Sequence, residues 1–108
     1  MPHQENKELI EHLAYCIAAC EHCADACLSE DDPSSLAECI RLDRDCADIC
    51  HLALTYISRD SVYADSAVEE CADICIDCAE ECEKHEHDHC KNCAEACRAC
   101  AKACGAFV

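Results

Sequence analysis

Cysteines and apolar residues in this chain recur at alternating steps of three and four positions. One series runs Leu9, Leu13, Cys16, Cys20, Cys23, Cys27, and a second runs Cys39, Asp43, Cys46, Cys50, then Ala53, Leu54 and Ile57. A third joins Ala64, Val68, Cys71, Cys75, Cys78 and Cys82, and a fourth joins Cys90, Cys93, Cys97, Cys100, Cys104 and Phe107. Steps of three and four hold every member on one helical face, so each series predicts one amphipathic helix. Only one glycine, Gly105, and two prolines, Pro2 and Pro33, occur, which leaves almost no hairpin turn chemistry, while eighteen alanines favour helix. The predicted fold class is all-α.

Caps and breakers set the expected boundaries. Asn6 is placed to cap a first helix ending near Ser29. The acidic turn "SEDDPSS" follows, with Asp32 before Pro33, or Ser35 with Glu38 as a capping box, opening a second helix that runs to about Ile57. The stretch "SRDS" interrupts it, and Asp60 or Ser61 caps a third helix reaching Lys84 or His85. A fourth starts near Asp88 and is ended by Gly105 near its C′ position. Short connections between four helices predict antiparallel neighbours, hence an up-down-up-down four-helix bundle with a cysteine-lined core. One domain spans 1–108, with residues 1–5 expected to be flexible.

The antiparallel arrangement also predicts two unlike ends. Leu9, Leu13, Ala53, Leu54, Ile57, Ala64, Val68 and Phe107 all fall at one end, as an apolar plug. At the other, His85 continues the third series past Cys82 and His87 and His89 precede the fourth, beside the acidic turn. Metal is expected to pass there. A second stripe, including Ile10, Ile17, Leu42 and Ile49, lies off the cysteine face and predicts either self-association or completion of a thin core.

Composition sharpens this picture. Seven leucines, seven isoleucines, three valines and one phenylalanine among 108 residues, with a net charge of −16, would by themselves suggest disorder. The sixteen cysteines must therefore belong to the core. The opening MPHQENKELIEH has no basic segment leading into an apolar one, so a cytoplasmic location is expected, where regularly spaced thiols more often serve metal or redox chemistry than disulfides. Eight basic against 24 acidic residues argues against nucleic acid as a partner, and no apolar run is long enough to cross a membrane.

Several chemistries fit sixteen thiols. Cysteines at i and i+4 can turn their sulfurs onto one ion, and seven such pairs occur: Cys16/Cys20, Cys23/Cys27, Cys46/Cys50, Cys71/Cys75, Cys78/Cys82, Cys93/Cys97 and Cys100/Cys104. Two thiolates suit copper(I), a soft ion content with few ligands. Zinc requires four ligands, for which the C-x-x-C pairs Cys20/Cys23, Cys75/Cys78, Cys90/Cys93 and Cys97/Cys100 each offer half, and "CEKHEHDHCKNC" (Cys82 to Cys93) read alone resembles one zinc site. Iron–sulfur ligation lacks its usual C-x₂-C-x₂-C run and the glycine-rich loops that wrap a cluster. Cysteines acting only as small core hydrophobes or as disulfides are the blander alternative. The copper reading predicts mostly protonated thiols in the empty protein, displaced as each ion is captured, and roughly eight ions at two sulfurs per ion. It predicts storage and no enzymatic activity; the alternative is a zinc or iron–sulfur binding module with a regulatory or electron-carrier role.

The C-x-x-x-C ladders on all four helices, "CIRLDRDCADIC" (Cys39 to Cys50) and "CEKHEHDHC" (Cys82 to Cys90) resemble the four-helix-bundle copper storage proteins, specifically their cytosolic class, over essentially the whole chain. The resemblance implies many copper(I) ions along the core, assistance from His and Asp near the open end, assembly into homotetramers, and delivery of copper by a chaperone. By this analogy Asp43 is a candidate ligand or hydrogen-bond partner of the thiols; a salt bridge to Arg41 or Arg44 is the alternative. His85, His87 and His89 are candidate exchangeable ligands or solvated loop residues, and His3, His12, His22 and His51 are expected at the surface. Met1 is the single methionine, so a thioether-assisted mouth of the kind found in exported relatives does not carry over.

Overall fold

The computed structural model describes residues 6–107; the expectations for residues 1–5, which include Met1 and His3, lie outside them. Four helices follow one another: α1 (Lys7–Leu28), α2 (Ala37–Ser58), α3 (Ala64–Cys82) and α4 (Asp88–Gly105). A 3₁₀ turn, Pro33–Leu36, leads into α2. Each helix packs on the next and α4 closes back on α1, with no diagonal pair among the described residues. The result is the antiparallel up-down-up-down bundle, 47 Å long and 18 × 17 Å in section. Two helices of 22 residues, each about 33 Å long at 1.5 Å per residue, account for most of that length.

The helix ends depart from the expected capping. Among the described residues, none of the helix starts carries a side-chain cap. At α2 the reason is local competition. The Asp32 carboxylate accepts from the Ser34 hydroxyl at 2.7 Å, Ser35 Oγ donates to the Asp32 carbonyl at 2.8 Å, and Glu38 pairs with Arg41 at 3.6 Å instead of closing a capping box. Pro33 still occupies the first position of its turn, where a missing N–H costs nothing. Ser61 Oγ accepts from the Tyr63 amide at 3.1 Å, a turn that delays α3 to Ala64, and Asp60 sits in the left-handed region at φ 54°. Helix α3 ends at Cys82, earlier than expected, which leaves His85 in the turn. Gly105 is the last residue of α4, not its C′ residue, and has no positive φ.

The core is thin and sulfur-rich. All sixteen cysteines are buried, as are Leu9, Leu13, Ala53, Ile57, Ala64 and Val68 at the plugged end, with Leu54 and Phe107 partly buried against the cluster. Ile10, Ile17, Leu42 and Ile49 also pack against it while remaining half-buried. The second stripe therefore completes the core in part. Tyr15, Leu28, Leu52, Val62, Tyr63 and Ile76 remain exposed.

Candidate metal centre

The helical stripe brings sulfurs together along each helix, with Cys16/Cys20 and Cys23/Cys27 both at 4.0 Å, Cys71/Cys75 at 3.9 Å and Cys93/Cys97 at 4.0 Å. The shortest separations, however, run between helices. Cys39/Cys82, Cys46/Cys75 and Cys50/Cys71 join α2 to α3 at 3.6 Å, and Cys20 of α1 lies 3.7 Å from both Cys93 and Cys97 of α4. A unit able to hold a metal would thus draw its sulfurs from several helices, with the i, i+4 pair only part of it.

Those units overlap in sequence along the axis. Cys50, Cys71, Cys75 and Cys100 form one four-sulfur set; Cys50 and Cys75 recur in a second with Cys16 and Cys46; Cys16 and Cys46 recur in a third with Cys20 and Cys97; and Cys20 and Cys97 recur in a fourth with Cys78 and Cys93. Within each set the ligand atoms all lie within 4.8 Å of one another. Neighbouring sets share two sulfurs each, so the interior is a continuous column of thiols. A further set, Cys23, Cys27, Cys39 and Cys90, stands at the histidine end.

Asp43 bridges the column and that outer set. It is fully buried, and its Oδ1 accepts from Cys78 and Cys93 at 3.3 Å and from Cys82 at 3.5 Å, while Oδ2 accepts from Cys39 at 3.8 Å. Among the described residues every partner of Asp43 is a thiol and no salt bridge joins it to Arg41 or Arg44; Arg41 pairs instead with Glu38 on the surface. Burial pushes the Asp43 carboxyl up to about 8, and negative charge on Cys93 and Cys39 pushes the same way. Burial likewise pushes the Cys27 thiol up to about 11 and raises Cys90. Cys20 and Cys50 are held above the ordinary thiol range by hydrogen bonding to neighbouring thiols, Cys16 first for Cys20 and Cys100 first for Cys50, with burial acting the same way. An incoming cation that replaces such protons removes the reason for these shifts.

The three histidines divide. His89 Nδ1 lies 3.4 Å from Cys23 Sγ, 3.6 Å from Cys90 and 4.0 Å from Cys27, so it extends the outer set. His85 bonds Glu81 at 2.8 Å and His87 lies 3.3 Å from Glu30, neither bonded to a thiol among the described residues. His87 and His89 stack, with ring centroids 5.3 Å apart and planes at 3°. His22 and His51 are exposed and His12 is half-buried. The residue that sequence reasoning missed is Glu30, whose carboxylate meets both stacked rings. Its only sequence signal was its place in the acidic turn facing the histidines.

Comparison with known proteins agrees with this geometry. The copper storage protein family profile (Csp) matches residues 2–108. An uncharacterized cysteine-rich protein, YhjQ of Bacillus subtilis (strain 168), is 48% identical over 93 residues, 86% of each chain. Among solved structures, the Cu(I)-bound copper storage protein BsCsp3 superposes with a TM-score of 0.90 at 46% identity, covering 94% of this chain and 95% of its own. Apo-Csp3 from Bacillus subtilis gives 0.88 at 47% identity, covering 93% and 95%. A cytosolic copper storage protein from Streptomyces lividans, holding five coppers, gives 0.91 at 40% identity, covering 97% and 92%.

Proposed function

Since the chain belongs to the copper storage protein family, we propose that it stores multiple copper(I) ions on its inward-facing thiolates. The observation that carries this reading is the column of overlapping four-sulfur sets. Zinc wants closed, separate sites with four ligands of its own. Sets that share two sulfurs with each neighbour instead suit an ion that accepts two or three ligands and tolerates bridging thiolates. Iron–sulfur chemistry has no loops here to wrap a cluster.

All sixteen cysteines are ligands in this reading, with Asp43 at the joint between column and outer set and His89 at the mouth; His85 and His87 serve as outer, exchangeable ligands. Each captured ion displaces thiol protons to solvent, so uptake acidifies the medium and weakens as pH falls. Counting two sulfurs per ion, sixteen thiolates hold about eight ions. Charge argues for more. Buried thiolates without partners are costly, and full neutralisation of sixteen takes about sixteen monovalent ions, so bridging sulfurs raise the capacity above the ligand count. The family is one of storage, and we read this member as binding without catalysis.

We assign the whole of 1–108 to a single copper-binding unit located in the cytoplasm, as the Streptomyces relative is described. The exposed side chains Tyr15, Leu28, Leu52 and Ile76 support assembly into a homo-oligomer, a tetramer by analogy with the family, with copper handed over by a chaperone. Anaerobic titration of the reduced protein with copper(I) against a competing chelator tests the function. Saturation near eight to sixteen ions is expected; uptake of one or two would overturn it.

A further inference from the structure

The turn between α1 and α2 places one carboxylate behind the mouth histidine. Glu30 Oε2 lies 2.8 Å from His89 Nε2 and 3.3 Å from His87 Nδ1. The His89 side chain is 12% exposed and that of Glu30 32%. An ionised carboxylate only accepts hydrogen bonds, so this contact places the ring hydrogen of His89 on Nε2. In the neutral ring the lone pair is then on Nδ1, the nitrogen lying 3.4–4.0 Å from Cys23, Cys90 and Cys27. Imidazole binds a metal through the nitrogen that lacks hydrogen, and a carboxylate behind the ring fixes both tautomer and orientation. A solvated ion pair, the plainer reading, would leave the ring free to turn. Here the ring is clamped from four sides: by Glu30, by the stacked His87, and by thiols of α1 and α4.

We propose that Glu30 is the positioning residue of copper uptake: it holds His89 with its hydrogen on Nε2, so that Nδ1 takes an arriving copper(I) together with Cys23, Cys27 and Cys90. This rests on the copper-storage reading. Glu30 itself touches no ion; it acts through His89. The Glu30 carboxylate comes from the α1–α2 turn and His89 from α4, so the mouth is completed only when the acidic turn folds over the start of α4.

The test uses the full chain, reduced and anaerobic, with copper(I) delivered from a chelator complex. Affinity for the first equivalents and the rate of their uptake are compared with affinity for the later ones in the wild type, Glu30→Ala, Glu30→Gln, His89→Ala and Glu30→Ala/His89→Ala. Glu30→Ala is expected to weaken the first equivalents by about 10–100-fold, the usual effect of removing such an outer partner. Glu30→Gln, whose amide oxygen still accepts from Nε2–H, is expected to restore most of that loss. The double variant should be no worse than His89→Ala, because the two residues act as one unit. Nitrogen-15 NMR of His89 in the metal-free wild type reads the hydrogen directly and decides the matter even if a variant misfolds. A hydrogen on Nδ1, wild-type uptake in Glu30→Ala, or losses that add in the double variant would each overturn the proposal. Saturation of the wild type at one or two ions would instead sink the storage reading on which it stands.

Discussion

Replacing Asp43 by asparagine tests the protonation of the buried carboxyl with little change of shape. In the folded, metal-free protein the group is raised from an ordinary 3.8 to about 8, mainly by burial. The raised value means that between these two limits the folded state holds a proton that the unfolded state has released. Stability from this group is therefore complete below about pH 4 and is lost as pH rises through 8. The slope is about 1.4 kcal/mol per pH unit for one proton, and integration between pH 5 and pH 7 gives a loss on the order of 2–3 kcal/mol. The asparagine side chain of the Asp43→Asn variant has nothing to titrate, yet its amide oxygen can still accept from Cys78, Cys82 and Cys93. Urea unfolding of both proteins under reducing, metal-free conditions, followed by circular dichroism at pH 5, 6 and 7, supplies the curves. Other titrating groups are common to the two, so the difference in slope reports Asp43 together with its coupling to the thiols around it. Parallel curves would show that the thiol donors at 3.3–3.5 Å keep Asp43 ionised in the fold, and the argument from burial would fail.

Copper(I) and zinc should separate by stoichiometry: sixteen thiols accommodate about four zinc ions at most with four sulfurs each, but about eight or more copper ions, as equilibrium dialysis with metal analysis would read. A zinc count equal to the copper count would contradict the sharing of sulfurs. Leu13→Ala, at a fully buried position of the apolar plug, should cost about 2–5 kcal/mol in urea unfolding while leaving the copper count at the wild-type value. A drop in copper count there would mean that the plug takes part in binding. Asp60→Val, at φ 54°, should lose about 1–2 kcal/mol in the same unfolding assay, and Asp60→Gly should not; equal losses would place the cost elsewhere than in the backbone.

Most of the fold was legible because a helical stripe is a local property. Steps of three and four residues place Cys16, Cys20, Cys23 and Cys27 on one face whatever surrounds them, and one glycine in 108 residues leaves little but helices and short turns. The caps were less legible. Ser35, Asp32 and Ser61 had several backbone partners within reach, and the choice among them follows from the path of the chain into the next helix, not from residue type. Asp43 stood out in sequence by interrupting a cysteine series, but salt bridge and thiol contact remained equal until α3 and α4 were in place around it.

The sequence by itself determined that sixteen cysteines lie on four inward stripes, that the plug and the histidines fall at opposite ends, and that soft-metal chemistry suits the core. Only the tertiary structure decided which sulfurs meet. Contacts such as Cys39/Cys82 and Cys20/Cys97 depend on the axial stagger of neighbouring helices, set by side-chain packing along the whole bundle and carried by no local spacing. The same holds for Glu30 and His89, fifty-nine residues apart and 2.8 Å from one another. Periodicity fixes the face a residue occupies; the register between helices selects its partners.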